Sequence, residues 1–387
     1  TYDNCTITVT DSLGHASSAL SVNTFVVDTT APSLSQVTAV TTPTNSTTPS
    51  YAFSSNEAGT ISYGGSCSSG TTSASSGNNS ISFNTLNEGS YSNCTITVTD
   101  SAGNASSALS VNTFVVDTTA PSLSQVTAVT SPKNDPTPGY IFSSNEAGTI
   151  SYNGSCSSGV TSASSGTNSI SFNTLSEGSY SNCTITVTDS AENSSSALSV
   201  NTFTIDTTAP TANYTASTDD VGTVRGSLTS GSTTDDTALV LSGTNESGSG
   251  VKVYNGSTEL GSATVSGTSW SYSATVANGT TYQFNVKETD LAGNTSDATS
   301  NFVVTGDTTA PTVSVTTAII KNTGNTVVQS TETGTVYLVN TTVTVSNLAS
   351  ITGAADNLWN RVYISSTYTD TYLQATGLAD GTYKAYA

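Results

Sequence analysis

The residues of this chain best placed to do chemistry are acids that recur at fixed spacing. The string Asp-Thr-Thr-Ala-Pro occupies residues 28–32, 117–121, 206–210 and 307–311. The first three copies are 89 residues apart, and the last follows after 101. Seventeen residues before each of these acids stands another: Asp11, Asp100, Asp189 and Asp290. This second series opens a loop Asp-x-x-Gly-Asn, complete at 100–104 and 290–294, with His15 in place of the Asn in one copy and Glu192 in place of the Gly in another. Carboxylates and amide oxygens together are hard donors of the kind that hold Ca²⁺. The same residue types also cap turns through hydrogen bonds to backbone N–H groups. Both roles stay open at this point.

Catalysis finds little footing. The chain has one His, His15, at a position that is Asn in a sister copy. Ser is abundant without a base to activate it, and acid pairs recur in every copy where a catalytic pair would occur once. A non-enzymatic role is therefore expected. Acids outnumber bases 27 to 7, for a formal charge of -20. That disfavours nucleic acid, which needs clustered Lys and Arg, and an anionic membrane surface for the same reason. No apolar run approaches the ~20 residues of a membrane helix. The absence of Met, and an opening on the late part of a repeat, lead to the expectation of an interior or processed piece.

The acids must be positioned by repeated strands. Residues 90–128 nearly duplicate 1–39, and 179–206 give a third copy. Apolar alternation within 29–117 predicts strands at 33–40, 51–54, 60–67, 80–86, 91–99 and 109–116, with a loop or weak edge strand over 68–79. About seven short strands in some 90 residues, with no helical period, indicate a Greek-key β-sandwich. The expected organisation is the late strands of a repeat at 1–28, full repeats at 29–117 and 118–206, a divergent one at 207–307 and an incomplete one at 308–387. Glu88-Gly89-Ser90-Tyr91 resembles a tyrosine corner, as do the stretches ending at Tyr282 and Tyr383.

Cys67 and Cys94, like Cys156 and Cys183, are 27 residues apart. The strand reading puts each pair at one end of two neighbouring antiparallel strands, on the inner face. A disulfide in each repeat is expected, the alternative being two buried free thiols. Closing a loop of this size contributes roughly 3 kcal/mol and implies an oxidising compartment outside the cytoplasm. Cys5 is the sixth-strand Cys of its copy. Trp270 and Trp359 are read as core rather than as sugar-binding residues.

The Asp-x-Ala-Gly-Asn loop followed by Asp-Thr-Thr-Ala-Pro is similar to tandem bacterial immunoglobulin-like domains of large surface adhesins and biofilm-associated proteins. The divergent repeat resembles them most, through 219–222, 234–237, 241–243 and 269–272. The resemblance implies an all-β chain of tandem Ig-like sandwiches arranged as an elongated rod, on the cell surface or outside the cell. It also implies Ca²⁺ at the junctions. In an Ig-like topology the incoming linker, the second-to-third turn and the sixth-to-seventh loop share one end. That gathers Asp28, Glu57, Asp100 and Asn104 at one junction, and Asp117, Glu146, Asp189 and Asn193 at the next. Asp206, Asp290 and Asn294 would form a third, and Asp307 belongs to a fourth. The expected function is an adhesive or structural segment of a surface fibre, with contacts to a host surface, glycan or other cells made by regions outside this chain. The alternative is a filament subunit in which residues 1–28 of one copy complete the last domain of the next.

Overall fold

The computed structural model describes residues 1–222 and 225–387. It is an all-β chain of sandwich type, with one short α-helix, Leu348–Thr352, among the described residues. Two compact units are present: Thr1–Thr208 with Leu291–Asn294, and Ala209–Asp290 with Thr295–Ala387.

In the first unit, β1 (Thr6–Ile7) pairs antiparallel with β2 (Leu20–Ser21). Nine strands follow: β3 (Leu34–Thr38), β4 (Ser50–Ser55), β5 (Gly59–Gly64), β6 (Ser73–Ala74), β7 (Gly77–Ser82), β8 (Gly89–Tyr91), β9 (Thr95–Thr99), β10 (Leu109–Ser110) and β11 (Phe114–Val116). One sheet runs β3-β4-β7, the facing one β10-β9-β5-β6, and β8 pairs with β11. Alternation in the sequence becomes alternation in burial. Tyr51, Phe53 and Ile81 from the first sheet meet Ile61, Ile96 and Val98 from the second, with Phe83 and Phe114 between them. Each such side chain, taken from water, contributes roughly 1.5–3 kcal/mol. Residues 123–205 repeat the arrangement strand for strand around Tyr140, Phe142, Phe172 and Phe203.

Two expected strands are interrupted. Of the 91–99 stretch only Thr95–Thr99 is β9, Tyr91 ending the separate strand β8, and the 109–116 stretch divides into β10 and β11; β9 pairs with β5 and β10, and β8 with β11. The cause in the second case is Asn112. Its amide accepts from Val40 N and donates to Val40 O, both at 2.9 Å. A side chain thus replaces the backbone as the pairing edge, and the chain changes partner there. Asn201 does the same to Val129. Strand 60–67 also ends early, at Gly64. Gly65 has φ +75°, and a Cβ there would lie 2.0 Å from the Asn93 carbonyl oxygen, so only glycine turns the chain so close to its neighbour. The Cys pair sits just beyond the Gly64–Thr95 register pair. Cys67–Cys94 and Cys156–Cys183 are both disulfides, each with a Cα–Cα distance of 5.3 Å. Cys5 is the free thiol among the described residues.

In the second unit, two five-stranded sheets enclose Leu239, Leu241, Val253, Trp270 and Phe284. Trp270 is core, its Nε1 donating to Asn213 O at 3.0 Å. Strands between Val313 and Tyr386 form two three-stranded sheets over Val328, Val336, Ile364 and Leu373. The tyrosine corners are present. Tyr91, Tyr180 and Tyr383 each donate through the hydroxyl to the carbonyl four residues upstream, at 2.8–2.9 Å. Tyr282 instead accepts from Ala277 N.

Candidate cation site at the repeat junctions

The first site is built from three backbone devices. Ser55 Oγ donates to Glu57 O at 2.6 Å and accepts from Glu57 N, which fixes the turn after β4. Gly59 then passes so close to the strand before Asp100 that a Cβ would sit 2.4 Å from Thr99 O. This approach brings the Glu57 turn beside the loop that Asp100 opens. In that loop Asp100 Oδ1 accepts from Ala102 N and Asn104 N at 2.9 and 2.8 Å. Its Oδ2 accepts from Asn104 Nδ2 at 2.8 Å. The same Nδ2 reaches Asp28 O at 3.2 Å, clasping linker to loop across 76 residues. Asp28 Oδ1 accepts from Thr30 N.

The outcome is that carboxylate oxygens of Asp28, Glu57 and Asp100 lie within 4.8 Å of one another. Asp117, Glu146 and Asp189 form an equal group at the next junction. There Asn193 Nδ2 donates to Asp117 O and Asp189 Oδ2 at 2.8 and 3.0 Å. Among the described residues these are the two groups of at least three such ligand atoms. Elsewhere, Asn294 Nδ2 donates to Asp206 O at 2.8 Å, the same clasp again. Asp307 caps its own turn through Thr309 N.

The turn-capping role of these acids is thus realised, and the convergence of carboxylates exists beside it. Among the described residues no ion pair is formed by a member of either trio. Burial, then the charges of Asp117 and Asp189, pushes the Glu146 carboxyl above its ordinary value. Hydrogen bonds from Asn104, chiefly through its side chain, pull that of Asp100 down. The donor set is all oxygen, without His or thiolate, and suits Ca²⁺ rather than Zn²⁺. A carboxylate oxygen that accepts one N–H keeps a lone pair for a cation. The fit is therefore good for Asp28, Glu57 and Asp100, and for Asp117, Glu146 and Asp189. Asn104 and Asn193 use their nitrogens as clasps, leaving Oδ1 as their ligand atom.

A second clasp, not expected from the spacing of the acids, holds the following linker. Glu88 Oε2 accepts from Thr118 Oγ1 and Thr119 Oγ1 at 3.1 and 2.6 Å. Glu177 holds Thr207 and Thr208 in the same way. In the second unit Asn278 bonds Thr308 N and Thr309 Oγ1. At Glu88 and Glu177 both Thr hydroxyls of the string are used, and at Asn278 the hydroxyl of Thr309 alone. The signal was available, since Glu88 and Glu177 occupy the same place in both repeats.

Residues 210–308 match the family model of a bacterial Ig-like domain. This stretch coincides with the divergent repeat at 207–307. No curated protein matches the chain. Among solved structures, it is similar to the fibronectin(III)-like modules of Clostridium thermocellum CbhA, at 13% identity over 48% of this chain and 94% of that one, with a TM-score of 0.30. It is also similar to SGBP-B of the Bacteroides ovatus mixed-linkage glucan utilization locus, solved with a mixed-linkage heptasaccharide. That likeness has 12% identity, 90% and 93% coverage and a TM-score of 0.18. At these TM-scores neither likeness carries an argument. No described helix is long and apolar enough to cross a membrane.

Proposed function

We propose that this chain is a non-enzymatic structural segment of an extracellular or surface-anchored protein, its Ig-like repeats joined by Ca²⁺-binding junctions. Three observations support the reading: the bacterial Ig-like match, the two disulfides, and the acid trio repeated in equivalent places, whose members form no ion pair among the described residues. The trio carries it. At each junction one acid comes from the linker and two from loops of the following repeat, so a shared cation would tie the linker to that repeat. Asp28, Glu57 and Asp100 would hold one ion, and Asp117, Glu146 and Asp189 another. Such segments act as spacers in adhesive and biofilm-associated surface proteins, and we place this chain in that class. Recognition of a host surface, glycan or neighbouring cell would then fall to other parts of the assembly.

The test is thermal unfolding of the chain in chelator and in millimolar Ca²⁺. Binding that saturates about a hundredfold above Kd adds about 2.7 kcal/mol per site. A rise of several degrees in the melting of the first unit is expected, and identical curves would refute the reading.

A further inference from the structure

In an Asn-Gly pair a carboxamide faces the least hindered backbone N–H, because glycine has no side chain to bar the approach. The chain has three such pairs: Asn153-Gly154, Asn255-Gly256 and Asn278-Gly279. Two of them are locked. Asn255 Oδ1 accepts from Gln283 N, and Gly256 N donates to Gln283 O, both at 2.8 Å. Asn278 Oδ1 accepts from Thr308 N at 2.8 Å and its Nδ2 donates to Thr309 Oγ1 at 2.7 Å, while Gly279 N donates to Gly306 O at 2.8 Å. In both pairs the carboxamide and the glycine N–H are drawn away from each other, to partners further along the chain.

Asn153-Gly154 differs. The pair is exposed and sits at the end of the strand Gly148–Asn153. Here Gly154 N donates to Asn153 Oδ1 itself, at 2.7 Å. The carboxamide is thus already turned over the nitrogen that can attack it, with Cγ one bond beyond Oδ1. The chain has no slack at this point: Gly154 has φ +80°, and a Cβ there would lie 2.0 Å from Asn182 O. Ser155 is anchored to the same neighbour, its N donating to Asn182 Oδ1 at 3.1 Å, one residue before the Cys156–Cys183 disulfide. The first repeat offers a direct comparison. It has Gly64 in place of Asn153 and keeps the same anchor, Ser66 N donating to Asn93 Oδ1 at 3.1 Å.

We propose that Asn153 is a site of spontaneous deamidation, and that its conversion loosens this edge of the second repeat while the first repeat is immune. Gly154 N gives its proton to water and attacks Asn153 Cγ. The N–Cγ bond forms, the Cγ–Nδ2 bond breaks, and Nδ2 leaves as ammonia, which closes a cyclic imide. Water then opens the imide at either carbonyl and leaves aspartate or isoaspartate at this position. In isoaspartate the main chain runs through Cβ and gains a methylene, at the point where Asn182 leaves no room even for a Cβ. The Ser155–Asn182 bond is the contact that this displaces. The inference is independent of Ca²⁺ and stands or falls separately from it.

The test incubates the whole chain at mildly alkaline pH in water enriched in heavy oxygen, then weighs the peptides that contain Asn153, Asn255 and Asn278. The heavy label marks imide opened during the incubation rather than during digestion. In the native chain Asn153 is expected to convert and the other two to lag by on the order of a hundredfold, the effect of displacing a reacting atom by about 1 Å. In the reduced, denatured chain the three should convert alike. Hydrogen exchange of the aged native chain should show lost protection at Ser155 and none lost at Ser66. Asn153→Gly, which installs the residue of the first repeat, should abolish both the mass change and that loss. An Asn153 that stays intact in the native chain would overturn the proposal. So would three pairs converting alike in the native chain, a preference for Asn153 that persists on denaturation, or unchanged protection at Ser155 after conversion.

Discussion

Glu192 stands where the other three loops have glycine, and it adopts φ +74°, against +93° for Gly103. The Asp189 loop nevertheless closes as its sisters do, with Asp189 N bonding to Asn193 O at 3.0 Å. A side chain in the left-handed region costs on the order of 1 kcal/mol. Glu192→Gly is therefore expected to raise stability in denaturant titration by up to about 1 kcal/mol, with the loop unchanged. The buried hydroxyls beside these loops should behave in the opposite sense. Ser106 Oγ accepts from Val98 N at 3.0 Å, and Ser195 Oγ from Val187 N. Ser106→Ala strands a buried N–H and should cost about 1–3 kcal/mol. Glu88 gives a pH signature. Hydrogen bonds from Thr119 and then Thr118 hold its carboxyl below the usual value. The folded pKa is depressed, so this clasp stabilises above the unfolded pKa and is lost as pH falls through the folded one. Carboxyl NMR titration should show Glu88 and Glu177 protonating below an unfolded Glu, and Thr119→Val should bring Glu88 back up. The sequence marked the acids of both trios because they recur at fixed intervals. It hid the Glu88 clasp, because a Glu before a turn reads as a solvated residue until its partners 30 residues away come into view.

At the scale of elements, the sandwich was legible because half-buried strands alternate visibly, as in the buried Tyr51, Phe53 and Ser55 of β4. The partner changes within 91–99 and 109–116 were not legible. The second depends on Asn112 meeting Val40 72 residues away, and nothing local distinguishes that Asn from one in a turn. The cysteine spacing pointed to the right partners because antiparallel neighbours bring Gly64 opposite Thr95, just short of both thiols. Each disulfide closes 27 residues, a loop worth about 3–4 kcal/mol in the chain-entropy model. The four hydrophobic clusters are separate, and the two in the second unit contain no Cys. Calorimetry should therefore resolve more than one transition. Reductant should lower only those belonging to 29–117 and 118–206; a uniform shift would contradict the assignment.

For the molecule as a whole, the account turns on what balances a charge of -20 gathered partly into trios. Without a cation, Glu146 is a liability. Its folded pKa lies above the unfolded one, so stability declines as pH rises from the unfolded value through the folded value, and the full penalty applies at neutral pH. With Ca²⁺ bound, the same carboxylate becomes a ligand. Glu146→Gln keeps the shape and the acceptor for Asn145 while removing the charge. The decisive measurement is the melting temperature of the native chain and of Glu146→Gln, each in chelator and in Ca²⁺. The account predicts a reversal, the variant melting at or above the native chain in chelator and several degrees below it in Ca²⁺. The same order in both conditions, with no rise of the native chain in Ca²⁺, would contradict it.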